Sequence, residues 1–305
     1  MAATPFREQK RLEPFPQCWD CLVGLVDTAT TLASNGDSQM KQRAEAAAKK
    51  ILDSSVGSDL SSPEVANLIL REIKLVAGVY DPYRDFKARE MAMARRVFEL
   101  ARAQAGSDLR SLLSLAVLGN SLDFFTTPEE ALEEIVDQVR NGISFHHDDV
   151  HRLESALKDR PGLVLYLTDN AGEIYFDLPL YDYIRLHAGK VVLVVKGGPA
   201  LNDLTRGELK AAGLTDRFDE IADTGCDGAG IEWRQVSPEF LKLVESAQLI
   251  ISKGMANMET INPHPLSTPV FFLFKVKCDP MKKYLEAPPR SFCALWRDGI
   301  PAAKD

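Results

Sequence analysis

The alternation of apolar and polar positions changes character near Pro161. Before it, apolar residues recur at three- and four-residue steps and β-branched runs are scarce, which predicts helix through the first ~160 residues. The clearest signature opens at Thr127, which can cap a helix, with Pro128 in the first turn and Glu130 completing a capping box. Leu132, Ile135, Val136, Val139 and Ile143 then fall on one stripe, and Asn141-Gly142 ends it. Beyond Pro161, short apolar runs alternate with helical segments, the pattern of βαβ units whose strands are buried on both faces. The runs cover 163–167, 191–195, 249–251 and 270–274, with a weaker one at 218–222, and the crossover helices fall at 175–186, 206–212 and 238–247. The expected fold is α/β, a three-layer αβα arrangement with a mostly parallel sheet plus an N-terminal helical subdomain. Residues 1–160 read as a helical cap and 161–305 as the α/β core, together one integrated unit.

Composition narrows the partners. With 305 residues, 45% of them hydrophobic, the chain can bury a sizeable core. Its 36 basic and 44 acidic residues leave a formal net charge of -8, which offers a nucleic-acid backbone no general attraction. No run of roughly 18 uninterrupted apolar residues is present to span a bilayer, and the first twenty residues lack a signal-peptide core, so a cytoplasmic location is expected. The five cysteines, Cys18, Cys21, Cys226, Cys278 and Cys293, are too few and too scattered for a disulfide framework and read as reduced thiols.

In an open parallel sheet, ligands sit beyond the carboxyl ends of the strands. Three strand ends here carry chemistry: Thr168-Asp169-Asn170-Ala171-Gly172-Glu173, Lys196-Gly197-Gly198-Pro199-Ala200-Leu201-Asn202-Asp203, and Ser252-Lys253-Gly254-Met255-Ala256-Asn257. Asp and Asn oxygens suit Mg²⁺ or Mn²⁺, ions that keep water or substrate oxygen in their remaining positions. Lys253 is placed to neutralise phosphoryl oxygens, and Gly197, Gly198 and Gly254 let backbone amides approach a ligand. Any single Asp or Asn after a strand is ordinarily a turn or helix cap. Their recurrence at three strand ends is what points to a site. Glu173 reads either as a proton-handling residue or as a complement to a helix dipole.

With these segments in hand, the chain resembles the DUF89 family of metal-dependent phosphatases, also called damage-control phosphatases, and its archaeal and bacterial branch in particular. The resemblance extends from Cys18-Trp19-Asp20-Cys21, through Asp81-Pro82-Tyr83 and Gly119-Asn120-Ser121-Leu122-Asp123-Phe124, to Lys277-Cys278. It implies that Asp169, Asn170 and Asp203 bind a divalent cation, which could be Mn²⁺, Mg²⁺, Co²⁺ or Ni²⁺. It also places Lys253 at the phosphate, and catalytic roles are expected for Asp169, Glu173 and Lys253. Asn120, Asp123, Asn202 and Asn257 would line the substrate pocket. The implied substrate is a small phosphorylated metabolite such as a sugar phosphate. Oligomeric state stays open.

Other features compete. Cys18-x-x-Cys21 is half of a zinc-ligand pattern that Cys278 could join, against two small buried thiols at a helix start. The cluster His146-His147-Asp148-Asp149 has ligand chemistry but lacks an HExxH spacing. A doubly wound sheet could also serve a nucleotide- or S-adenosylmethionine-binding transferase, yet the first strand is followed by Asp169-Asn170-Ala171-Gly172-Glu173 rather than a GxGxxG turn. A non-catalytic metal-binding scaffold built on Cys18 and Cys21 is the third reading.

Overall fold

The computed structural model describes residues 14, 16–120, 135, 137, 138, 142–288 and 290–300. Asp123 and most of the helix expected from Thr127 lie outside the described residues. Seven strands form one sheet: β1 Phe145–Asp148, β2 Leu163–Leu167, β3 Lys190–Val195, β4 Ile221–Asp223, β5 Leu249–Lys253, β6 Val270–Lys275 and β7 Phe292–Arg297. Their spatial order is β1-β7-β6-β5-β2-β3-β4. Strands β2 to β6 are parallel; β7 pairs antiparallel with β6, and β1 runs parallel to β7.

Alternation along the strands builds a core on each face. Val164, Tyr166, Leu193, Ile251, Phe271 and Leu273 meet helices α4 (Arg84–Arg102), α5 (Leu109–Gly119), α6 (Val150–Lys158) and α7 (Ile174–His187). Leu165, Leu167, Val194, Ile250, Phe272 and Leu295 meet, on the other face, α9 (Pro238–Ser246), α10 (Met255–Ile261) and α11 (Asp279–Leu285). This is the three-layer α/β arrangement expected, with strands that read as continuous apolar runs because neither face is solvated. The short α8 (Arg206–Ala211) opens with a capping box, in which Glu208 Oε2 accepts from the Thr205 N–H at 3.0 Å and the Thr205 hydroxyl accepts from Gly207 N–H at 3.1 Å.

The first three helices, α1 (Pro16–Ser34), α2 (Ser38–Ser55) and α3 (Ser62–Ala77), enclose a core of their own around Leu22, Ala29, Val65, Ile69 and Ile73. Helices α4 and α5 belong instead to the sheet's own core. Within the segment read as helical throughout, Phe145–Asp148 forms the edge strand β1. None of the described helices is long and apolar enough to cross a membrane.

The chain lays down β2, β3 and β4 in one direction and then returns to the other side of β2 with β5 and β6. The carboxyl ends of β2 and β5 therefore flank the point where strand order reverses, which opens a crevice in a sheet of this kind.

Candidate functional site

Backbone pairing brings the β2 and β3 ends together. Asn170 and Asp203 form an antiparallel bridge, Leu204 N–H donates to Asp169 O at 2.9 Å, and Ala171 N–H donates to Asn202 O at 2.8 Å. Asp169 and Asn170 thus stand on one of two zipped loops and Asp203, more than thirty positions later in sequence, on the other. Gly254, after β5, has φ +84°, and a Cβ there would lie 2.1 Å from Asp169 Cγ. Only glycine permits both that backbone and the approach of the carboxylate.

Side-chain bonds fix which atoms face outward. Asn120, at the end of α5, donates from Nδ2 to Asp169 Oδ2 at 2.9 Å and to Glu173 Oε1 at 2.5 Å, while its Oδ1 accepts from Lys275 N–H at 3.3 Å. Asn170 Nδ2 donates to Glu173 Oε1 at 2.9 Å. A carboxylate can only accept, so the amide nitrogen of Asn170 is turned toward Glu173 and its carbonyl oxygen is left for another partner. Asp169 Oδ1 takes no hydrogen bond among the described residues.

Beneath these groups lies a buried charged layer. Lys253 is fully buried, and its ammonium donates to Glu173 Oε2 at 2.9 Å, Asp177 Oδ1 at 2.6 Å and Ala116 O at 3.1 Å. All three of its hydrogens are engaged. Burial acts to lower the Lys253 pKa, but the Asp177 and Glu173 charges outweigh it and raise it. Burial likewise acts to raise Glu173, but Lys253, Lys277 and its hydrogen bonds hold it below the usual glutamate value. Asp177 is pushed up to about 6, chiefly by burial. On the β3 side, Lys196 lies 3.5 Å from Asp203 Oδ1 and donates to Asn257 Oδ1 at 3.1 Å, and burial lifts Asp203 to about 6. Asp169 is raised well above the ordinary value by burial, then by the Glu173 and Asp203 charges.

The donor set fits a divalent cation. Asp169 and Asp203 are buried, and the charge of Asp203 raises Asp169, so a dication between them would relieve a repulsion that the fold has built in. Two carboxylates and one amide oxygen are hard ligands. Among the described residues no three His, Cys, Asp or Glu side chains are grouped to hold a metal; the Asp169, Asn170 and Asp203 set is two carboxylates and one amide.

Other expected site residues take less direct positions. Asn257 donates from Nδ2 to Thr168 O at 3.0 Å and to Lys253 O at 2.8 Å, tying the β2 and β5 ends together. Asn202 donates to Glu90 Oε2 at 3.1 Å. The Gly254 N–H is taken by Leu273 O and that of Gly197 by Cys226 O, so both amides are held by the fold. Sequence reading missed Glu90, Asp177 and any role for Lys277. Lys277 is exposed, and its charge lowers both Asp169 and Glu173; it stands in a quoted segment to which no chemistry had been attached. Glu90 itself was not singled out, since it sits in a charged helical stretch that reads as surface from its residues and as part of a cap over the pocket from the resemblance. A cavity of 470 Å³, lined in part by Lys196, Gly197, Gly198, Thr205, Tyr80 and Arg84, opens beside the Lys196–Asp203 pair.

The histidine cluster has other partners. His146 and His147 pair through Nε2 with Glu286 O and Leu285 O, at 3.1 and 2.8 Å, and Asp148 binds Arg110. The five cysteines are free thiols, with Cys278 pushed up to about 11, mainly by burial, and Glu259, Cys18 and Cys21 stand near enough to Cys278 for their charges to raise it too.

The family model described as "Damage-control phosphatase ARMT1-like domain" matches residues 15–290. The damage-control phosphatase of Pyrococcus horikoshii is 31% identical over 275 residues, covering 89% of this chain and 94% of that protein. A damage-control phosphatase of Archaeoglobus fulgidus is 32% identical over 276 residues, covering 88% and 93%. The crystal structure of a DUF89 family protein from Pyrococcus horikoshii superposes with a TM-score of 0.84 at 30% identity, covering 92% of this chain and 98% of that one.

Proposed function

Since the chain belongs to the damage-control phosphatase ARMT1-like family, we propose that it is a metabolite damage-control phosphatase that hydrolyses small phosphomonoesters with one divalent cation, held by Asp169, Asn170 and Asp203. The observation that carries this reading is the zipping of the two loops by the Asn170–Asp203 bridge, which sets two carboxylates and an outward amide oxygen side by side.

A cation held by Asp169, Asn170 and Asp203 would supply Lewis-acid polarisation of a phosphoryl group and a lowered pKa for a bound water. The chain's own residues arrange the rest. Asn120 aims Asp169, and Glu173 aims Asn170. Lys253 keeps Glu173 ionised, so that it accepts from both amides at once. With the Lys253 hydrogens engaged inside the protein, we assign the phosphoryl oxygens to Lys277, which is exposed and near enough to lower both Asp169 and Glu173. The transferase reading gains nothing from the geometry, since the turn after β2 is Asp169-Asn170-Ala171-Gly172-Glu173 and not a glycine-rich pyrophosphate turn.

Hydrolysis of p-nitrophenyl phosphate and a panel of sugar phosphates, with Mn²⁺, Mg²⁺, Co²⁺ or Ni²⁺, tests the proposal. Chelator and Asp169→Ala are each expected to reduce kcat/KM by about 100-fold or more. Full activity after both treatments contradicts it.

A further inference from the structure

Glu90 is the point at which the helical half of the chain touches both ligand loops. It projects from α4 with 1% of its surface exposed. Its Oε1 accepts from the Gly172 N–H at 3.2 Å, and its Oε2 accepts from Asn202 Nδ2 at 3.1 Å. Gly172 lies two residues after Asn170, and Asn202 immediately precedes Asp203. The Ala171–Asn202 backbone bond closes the same circuit from the other side. One carboxyl group therefore spans the gap between the loop bearing Asp169 and Asn170 and the loop bearing Asp203.

The contact is close. A Cβ on Gly172 would lie 2.9 Å from Glu90 Cγ and 3.1 Å from Ala94 Cβ, so the turn rests directly on α4. Lys87, three residues before Glu90 and on the same helix face, pins α4 to the core through Glu208 at 2.7 Å and Asp81 at 2.8 Å. Glu208 caps the helix that follows the Asp203 loop. The α4 face thus grips both the loop pair and the helix behind it.

We propose that Glu90 is a positioning residue for the reaction, setting the separation of the Asp169–Asn170 and Asn202–Asp203 loops and hence the spacing of the oxygens they present. The inference rests on the phosphatase reading above. Burial pushes the Glu90 carboxyl up to about 8, so near neutral pH it bridges the loops without adding a further full negative charge to the cluster. A group that holds such ligands from behind changes affinity or rate about 10–100-fold when removed.

The test compares Glu90→Ala, Glu90→Gln and Glu90→Asp for kcat and KM on p-nitrophenyl phosphate, and for Mn²⁺ affinity by calorimetry, with circular dichroism reporting the folded fraction. Glu90→Ala is expected to lower kcat about 10–100-fold and weaken Mn²⁺ binding about tenfold. Glu90→Gln keeps the length; its oxygen accepts from Gly172 N–H and its NH2 donates to Asn202 once that amide turns over, and it is expected to restore kcat and Mn²⁺ affinity to within about fivefold of wild type. Glu90→Asp is one methylene too short to span the loops and should resemble Glu90→Ala; this pair decides the matter should Glu90→Ala not fold. Folded Glu90→Ala or Glu90→Asp protein with wild-type kcat and Mn²⁺ affinity overturns the inference, as does Glu90→Gln impaired as severely as Glu90→Asp. Should wild-type protein bind Mn²⁺ yet hydrolyse no ester, the phosphatase reading fails by itself and the Mn²⁺ affinities alone judge Glu90.

Discussion

Asn170 owes its outward oxygen to Glu173, and Glu173 owes its charge to Lys253, so the residues nearest the proposed cation are set by residues one layer further in. That layering limits what sequence can show. Asp169, Asn170 and Asp203 were legible because they follow apolar runs, whereas the Lys253 ammonium, expected at a phosphate, sits among Glu173, Asp177 and Ala116 O in a way no spacing rule reveals. Glu90 supplies a pH prediction at this scale. Its folded-state pKa of about 8 exceeds the ordinary 4.5, so the folded protein binds its proton more tightly than the unfolded chain does. The stability this provides is complete below the unfolded value and is lost as pH rises through about 8. In metal-free buffer, denaturation of wild type and Glu90→Gln at pH 5, 7 and 9 should show wild type losing ground by up to about 1.4 kcal/mol per pH unit within that window. Parallel pH profiles would contradict the assignment.

Among the elements, the buried parallel strands were readable because both faces are covered: β2, β3, β5 and β6 coincide with the apolar runs to within two residues at either end. The two strands at the other edge were not. Phe145–Asp148 carries a single apolar residue among His146, His147 and Asp148, and its partner Phe292–Arg297 runs antiparallel to β6, outside the parallel βαβ pattern. The β5–α10 junction concentrates the demands of the site in one glycine. Replacing Gly254 with alanine places a side chain in a left-handed backbone and against the Asp169 carboxylate. It is expected to reduce stability by about 1–3 kcal/mol and to reduce kcat/KM more steeply than that loss of folded protein explains. Urea unfolding and steady-state kinetics on the same sample separate the two effects; activity falling only in proportion to unfolding would sink the argument that Gly254 makes room for Asp169.

For the molecule as a whole, the strand order reverses between β2 and β5, and helices from the first half of the sequence reach the loops that follow β2 and β3. The α1–α3 unit keeps its own core, while α4 and α5 cross to the sheet and deliver Glu90 and Asn120 to the loops after β2 and β3. This division was only partly visible in the sequence, because a helix facing a sheet and one facing other helices share the same 3.6-residue period. The convergence of Asp169, Asn170 and Asp203 on one cation is tested most directly by anomalous diffraction from crystals soaked in Mn²⁺. The account predicts a principal anomalous peak within coordination distance of Asp169, Asn170 and Asp203 oxygens. A peak at Cys18, Cys21 and Cys278 instead, or none beside Asp169 at saturating Mn²⁺, would contradict it.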